Sequence, residues 1–165
     1  MGILSKKRRS TMLKDKKFWF CVVGIVGLGF LVGLLSGDLG EYYASLQKPF
    51  FAPPGWLFGP VWTVLYAMIG ICLYTLLELK NGKDKNNLLT IFWIQLICNL
   101  LWTISFFNLK ANWLAVIDIT LLAVLLTRFL YLLWHKKKIS FYLLVPYYLW
   151  VLFAMVLNCG IIVVN

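Results

Sequence analysis

Five apolar stretches, each long enough to cross a bilayer, constrain this 165-residue chain more than any other feature. Four of them contain no Asp, Glu, Lys or Arg, and the fifth contains only Asp118 and Arg128 as charged residues. Each stretch has 20 to 27 residues, and a helix needs about 20 residues to cross a hydrocarbon core of roughly 30 Å. The predicted spans are residues 18–37, 56–77, 88–109, 111–134 and 139–165.

These spans predict an all-α fold, a polytopic integral membrane protein built as a bundle of five transmembrane helices. Backbone groups in hydrocarbon must be hydrogen-bonded internally, and the strands of a membrane barrel would be about half as long as these stretches. The composition agrees, since 62% of the residues are apolar and only 13% are charged, which excludes an ordinary soluble enzyme. We expect a basic tail at residues 1–17 and one membrane domain at residues 18–165.

The basic residues predict how the bundle is oriented. Fourteen of the sixteen Lys and Arg residues fall on the side of the N-terminal tail, and only Lys48 and Lys110 fall on the other side. Because basic residues collect on the cytoplasmic side of membrane proteins, we expect the N-terminus in the cytoplasm and the C-terminus outside. This topology accounts for the net charge of +10, so nucleic-acid binding is not needed to explain it.

Residue patterns for hydrolytic or metal chemistry do not occur in this sequence. There is no nucleophile–base pair, phosphate-binding loop or pair of neighbouring carboxylates of the kind that such sites need. The single histidine, His135, is followed by three lysines rather than by further ligand residues. We therefore expect no metal site, no covalently bound cofactor and no hydrolytic activity.

Polar side chains inside the third predicted span lie on one helical face. Gln95, Asn99 and Trp102 are spaced i, i+4 and i+7. An amide in hydrocarbon is costly unless it is paired, so this face should point into the bundle. On residue types alone two interpretations remain open, since such amides either connect helices by hydrogen bonds or line a ligand site.

The depth of the polar groups favours a ligand site. Under the predicted topology, the outer half of the bundle holds several polar and aromatic groups from different helices, whereas the inner half holds few. Convergent groups at one level indicate a concave site. Asp118 and Asn158 are expected to support it from within the membrane, with an amide, an indole N–H or a water as the partner of Asp118.

The first connection between spans, residues 38–55, is the longest and is rich in aromatic residues. Its prolines, Pro49, Pro53 and Pro54, stiffen the backbone and disfavour helix formation. We expect this segment to act as a lid over the mouth of the bundle. The alternative is a belt of aromatic residues at the membrane interface, where Tyr and Trp gather in any case.

Several spaced motifs in this chain occur together in a known family. They are YASLQKP at 43–49, the prolines at 53–54, GPVWTVLY at 59–66, QLxxNxxW at 95–102, AxxD at 115–118 and PYxxWxxFAxxLN at 146–158. In this order, on a chain with five predicted spans, the motifs resemble the TspO/translocator protein family, which includes the tryptophan-rich sensory proteins and the peripheral-type benzodiazepine receptor. The resemblance covers roughly residues 42 to 158.

The resemblance implies a five-helix bundle that encloses a pocket for large, flat, apolar ligands, capped by the first connection. The implied ligands are porphyrins such as protoporphyrin IX and compounds of the isoquinoline and benzodiazepine types, for tetrapyrrole sensing, transport or regulation. Carried over onto this sequence, the pocket comprises Tyr43, Pro53, Pro54, Trp62, Tyr66, Gln95, Asn99, Trp102, Trp150 and Ala154. The alternative function is light- and oxygen-dependent porphyrin degradation, in which the resemblance implicates Trp62 and Trp150 as catalytic residues.

The chain departs from the family pattern at several positions. Phe51 and Tyr42 stand where tryptophans are common, which puts ligand preference and photochemistry in question. The C-terminal cholesterol motif of the eukaryotic members is missing, so we do not predict cholesterol transport.

The resemblance favours a homodimer. The short C-terminus and the lysine-rich loops are typical of a bacterial cell membrane, which is the location we expect. The glycines at positions 29, 33 and 37 form a ridge of small residues on the first span, which serves either the dimer or packing within the chain.

Overall fold

A computed structural model of the protein describes residues 12–36 and 39–165, with only the backbone described for Leu39. The helices are α1 (Lys16–Leu35), α2 (Leu39–Ser45), α3 (Phe58–Leu77), α4 (Lys83–Thr103), α5 (Asn112–Lys136) and α6 (Lys138–Val164). All except α2 are long and apolar enough to cross a membrane, and no strand occurs in the described ranges. The all-α bundle of five spans is therefore confirmed. Residues 1–11 of the predicted basic tail, and Gly37 of the predicted first span, lie outside the described residues.

The predicted span ends differ from the helix ends by a few residues. The largest difference at a helix start is at α4, which begins at Lys83 rather than at residue 88. The charged residues at 83–85 end the apolar run, but the helix includes them. Nζ of Lys85 donates to two carbonyl oxygens at and just after the end of α3, that of Leu77 at 2.8 Å and that of Leu79 at 3.2 Å. A lysine at a helix C-terminus is favourable for this reason.

Two ion pairs show that the lysine-rich helix ends lie at one end of the bundle, which we call the basic face. Lys17 at the start of α1 pairs with Glu78 after α3 at 2.9 Å. Lys136 at the end of α5 pairs with Asp84 at the start of α4 at 2.7 Å. The helices therefore run alternately up and down, and the first connection lies at the opposite end, which we call the lid face.

The first two spans pack closely because glycines let their backbones approach. A Cβ added at Gly70 of α3 would lie 2.7 Å from the Cα of Val22 on α1. A Cβ added at Gly29 of α1 would lie 2.3 Å from the Tyr66 ring. At Gly29 the predicted small-residue ridge therefore packs within the chain, and Gly37 of that ridge is not among the described residues.

The first connection contains a helix that we did not expect. The prolines keep residues 46–54 free of helix, as predicted, but α2 forms in the proline-free segment before them. Lys48 closes α2 by donating from Nζ to the carbonyls of Tyr43, Ala44 and Leu46 at 2.9 to 3.1 Å. A 3₁₀ turn at Gly55–Leu57 then leads into α3, with Pro60 in its first turn, where a proline costs little.

Candidate functional site

One face of α3 forms the central wall of the candidate site. Phe58, Trp62 and Tyr66 are spaced four residues apart and so share that face. The Trp62 ring lies 5.9 Å from the Trp102 ring of α4 and 6.3 Å from the Tyr147 ring of α6, measured between centroids. Phe58 contacts the Trp150 ring of α6 at 6.0 Å. Three helices thus bring the predicted tryptophans to a common wall.

A π-helical turn at the end of α4 extends this aromatic wall toward the lid face. The turn covers Ile104–Asn108, and the Leu109 N–H donates to the Ile104 oxygen at 2.9 Å. Such an extra residue rotates the side chains that follow it, and Phe106 stacks on Trp102 with the ring planes 11° apart. Phe106 in turn contacts the Tyr42 ring at 5.7 Å.

Two tyrosine–amide pairs cross the interior, and they differ in one respect. The Tyr147 hydroxyl donates to Oε1 of Gln95 at 3.0 Å, and Nε2 of Gln95 donates to the Phe92 oxygen at 3.0 Å. Gln95 is thus paired on both sides and connects α4 to α6. The Tyr66 hydroxyl donates to Oδ1 of Asn99 at 2.7 Å, but Nδ2 of Asn99 has no acceptor among the described residues.

Four buried N–H donors lack an acceptor among residues 12–36 and 39–165, and all four belong to residues singled out from the sequence. They are Nδ2 of Asn99, Nε1 of Trp102, Nε1 of Trp150 and Nδ2 of Asn158. Asn99, Trp102 and Asn158 are at most 2% exposed. Because a buried donor without a partner costs about 1–3 kcal/mol, such a group in a native structure calls for an explanation.

The first connection lies across the ends of α3, α5 and α6. Tyr43 is buried, which raises the pKa of its hydroxyl, and it donates to the Pro53 oxygen at 2.9 Å while its ring contacts Phe58 at 5.0 Å. Pro49 and Phe51 pack on the backbone of α6 at Gly160, where an added Cβ would lie 3.1 and 3.2 Å from their rings. Phe51, one of the two positions where the sequence lacks an expected tryptophan, thus packs its ring on the end of α6.

Two side-chain amides fix the first connection to the bundle. The Tyr42 hydroxyl donates to Oδ1 of Asn112 at the start of α5 at 3.0 Å. Asn165 holds the backbone of Gln47 from both sides, since the Gln47 N–H donates to its Oδ1 at 3.0 Å and its Nδ2 donates to the Gln47 oxygen at 2.9 Å. We call these contacts the lid clasps.

Not every predicted residue joins the cluster. Ala154 is buried one turn after Trp150, but Pro54 is exposed at the rim. Asp118 is half-buried on α5, and the supporting role expected for it and for Asn158 stays a prediction.

Three rings of the cluster were missed. Phe58 lies four residues before Trp62, Phe106 four after Trp102 and Tyr147 three before Trp150. Helical spacing from each predicted tryptophan therefore contains the signal that identifies them.

Together these features define a class of protein, a five-span helical membrane protein with an interior site of aromatic rings and unpaired donors beneath a stiff loop. Comparison with known proteins gives the family. The model of the TspO/MBR family matches residues 20–164. The chain belongs to the TspO/MBR family and is an integral membrane protein.

Relatives match over most of their length and of this chain. The tryptophan-rich protein TspO of Archaeoglobus fulgidus is 38% identical over 145 residues, which cover 87% of this chain and 94% of the relative. The protein of the same name from Chlorobaculum tepidum is 39% identical over 146 residues, covering 85% and 92%. The translocator protein of Bos taurus is 32% identical over 148 residues, covering 85% and 87%. The resemblance inferred from the motifs is confirmed.

Proposed function

We propose that this protein binds porphyrins of the protoporphyrin IX type in the lid-side half of the bundle, for tetrapyrrole sensing, transport or regulation. Ligands of the isoquinoline and benzodiazepine types are proposed to use the same site. The observation that carries the proposal is the set of four unpaired donors on Asn99, Trp102, Trp150 and Asn158. Trp102 and Trp150 belong to the aromatic wall, and Asn99 is bonded to Tyr66 of that wall.

The chemistry of the site matches such ligands in two ways. A flat macrocycle stacks on indole and phenol rings, which offer large apolar faces. The carboxylates of protoporphyrin, or the carbonyl and ring-nitrogen groups of the drug-like ligands, are acceptors that unpaired N–H donors need. Because the interior has a low dielectric constant, each such hydrogen bond is stronger there than in water.

The first connection is proposed to act as the lid of this site. It is stiffened by its prolines and held at Asn112 and Asn165 by few hydrogen bonds. A segment held by few hydrogen bonds opens locally at low cost compared with unfolding of the whole bundle. Ligand entry from the lid face would then require release of the lid clasps rather than movement of a span.

Binding is tested by titrating the purified protein in nanodiscs with protoporphyrin IX and following the Soret absorption band. Trp150→Phe removes an unpaired Nε1 but keeps an aromatic ring, and we expect it to raise Kd roughly 5- to 30-fold, the loss of about 1–2 kcal/mol. Trp93→Phe is the matched control, because Trp93 is 45% exposed on the outer surface of α4. Failure of the wild type to saturate, or equal Kd values for both variants, would overturn the proposal.

A second candidate function is catalysis of porphyrin photo-oxidation, with oxygen as the oxidant. Ring contacts run without a gap from Tyr147 through Trp62 to Trp102, and these oxidisable phenol and indole rings form a path along which an electron hole can pass. At saturating porphyrin, illuminated Trp62→Phe and Trp150→Phe variants should bleach the Soret band more slowly than the wild type. Equal bleaching in the variants, or in nanodiscs without protein, removes this candidate.

We further propose a homodimer in a bacterial cell membrane, with the basic face in the cytoplasm. The placement of the ion-paired lysines at one end of the bundle supports this orientation. In a Cys159→Ser background, chosen because Cys159 is exposed near the lid face, a membrane-impermeant maleimide applied to intact cells should label a Lys48→Cys variant and leave a Lys83→Cys variant unlabelled. The reverse labelling pattern would show the opposite topology.

The dimer is tested by measuring the mass of the detergent-solubilised protein by light scattering.

A further inference from the structure

A cavity of about 530 Å³ lies at the lid face, between the start of α5 and the end of α6. It is separate from the aromatic cluster, and we call it the clasp cavity because both amides of the lid clasps line it. The residues used below are Lys110, Asn112, Trp113, Leu114, Ile162 and Asn165. Its position at the ends of two spans puts it at the depth of lipid headgroups.

The lining of the clasp cavity is amphipathic. Leu114 and Ile162 supply apolar walls on the side of the membrane, and Trp113 beside them is 72% exposed, as indoles at the membrane interface often are. Lys110 supplies the charge. No carboxylate of the described residues pairs with Lys110, since the ion pairs in those ranges are Lys17–Glu78 and Lys136–Asp84.

The two lysines of the lid face are in different situations. Nζ of Lys48 is held by three carbonyl oxygens at the end of α2. Nζ of Lys110 lies 5.4 Å from the centroid of the Tyr42 ring, a weak cation–π contact at an exposed site. Lys110 is therefore the cation of this face that an incoming anion can pair with at little cost.

We propose that the clasp cavity binds an anionic phospholipid from the leaflet on the lid side, with its phosphate at Lys110 and an acyl chain along Leu114 and Ile162. A phosphate oxygen in this position competes for Nδ2 of Asn165, which holds Gln47, and draws Lys110 from Tyr42. Occupancy therefore weakens the lid clasps. The lipid site itself does not depend on porphyrin binding.

The lipid site is tested by NMR of protein whose lysines carry ¹³C-dimethyl labels, a change that keeps their charge. The Lys110 signal, assigned with Lys110→Gln, should shift and saturate on addition of short-chain phosphatidylglycerol. It should not shift with phosphatidylcholine of the same chain length or with inorganic phosphate, and the Lys48 signal should stay in place. No saturable shift, or an equal shift with inorganic phosphate alone, overturns the proposal.

The effect on the lid is tested by hydrogen exchange of the Gln47 amide, which donates to Asn165. We expect about fivefold faster exchange in nanodiscs containing phosphatidylglycerol than in phosphatidylcholine alone. Lys110→Gln should abolish the difference, whereas Lys83→Gln, which removes the same charge at the basic face, should keep it. If both variants behave alike, or if the wild type shows no difference, the competition is wrong. Because no porphyrin is present, this outcome is independent of the proposed function.

Discussion

The two halves of the bundle interior differ in whether their buried polar groups have hydrogen-bond partners. In the half next to the basic face, the hydroxyls of Thr75 and Ser140 are hydrogen-bonded to each other, and Thr75 also contacts the Cys72 oxygen at 2.8 Å. In the lid-side half, four buried donors have no acceptor among the described residues. Both halves are built from the same five helices, so the difference is local and lies in the side chains.

This contrast separates two roles within one small membrane protein. A polar group inside a membrane is tolerated when it is paired, and the basic half meets that condition with its own side chains. The lid half leaves four donors without an acceptor among the described residues, which the proposed ligand would supply. We infer that the basic half supplies stability and that the lid half supplies recognition, an arrangement that accepts lower stability where the ligand binds.

The largest expected effect is a loss of stability from a substitution in the basic half. Leu144 is 0% exposed, and Leu144→Ala should lower the free energy of unfolding by about 2–5 kcal/mol through lost packing. The affinity of the folded fraction for protoporphyrin should stay within about twofold of the wild type. The reason is that the cavity left by the removed Leu144 side chain lies in the basic half, away from the unpaired donors. Reversible unfolding in mixed micelles, combined with Soret titration, measures both. Loss of affinity as large as the loss of stability would break the separation of roles.

A substitution at Gly29, where α1 packs on Tyr66, sharpens the comparison between the two halves. Gly29→Ala places a Cβ 2.3 Å from the Tyr66 ring, so Tyr66 must move and its bond to Asn99 is disturbed. We expect about 1–3 kcal/mol of destabilisation together with weaker porphyrin binding. Gly27→Ala on the same helix meets nothing within 4 Å and should be neutral or slightly stabilising, since alanine favours helix. Equal behaviour of the two variants would show that the contact has no such role.

The smallest effect is expected at the lid clasps. Asn165→Ala removes both hydrogen bonds to the Gln47 backbone, at an exposed site where each is worth about 1 kcal/mol or less. The unfolding midpoint should hardly move, while porphyrin dissociation measured by stopped flow should become several times faster, because lid opening precedes release. Unchanged dissociation would show that the first connection does not control access.

The sequence predicts the bundle well because the bilayer imposes a length that uncharged runs reveal directly. It locates the ends less well, since Lys83 and Lys85 are charged and still helical, with Lys85 bonded to carbonyls at the end of α3. The short helix α2 and the π-helical turn at Ile104–Asn108 were not predicted. Both depend on local hydrogen bonds that hydropathy does not report.

The site was predicted in part for a similar reason. Gln95 and Asn99 are the same kind of residue on the same face, and no spacing rule says which of them is fully paired. Each tyrosine bonds only the oxygen of its amide. The difference is that Nε2 of Gln95 reaches the Phe92 oxygen, whereas Nδ2 of Asn99 has no acceptor among the described residues. Which amide nitrogen finds a carbonyl is a property of the packed bundle.

The separation of roles is tested most directly by two substitutions on α6 with opposite expected signatures. Asn158→Leu removes an unpaired donor, so without ligand the unfolding midpoint should stay or rise, while the stabilisation by saturating protoporphyrin should shrink. Ser140→Ala removes a paired hydroxyl, so the midpoint without ligand should fall while the full stabilisation by protoporphyrin remains. If Asn158→Leu instead keeps the full ligand-induced shift, or if Ser140→Ala loses it, the two halves do not have the separate roles inferred for them.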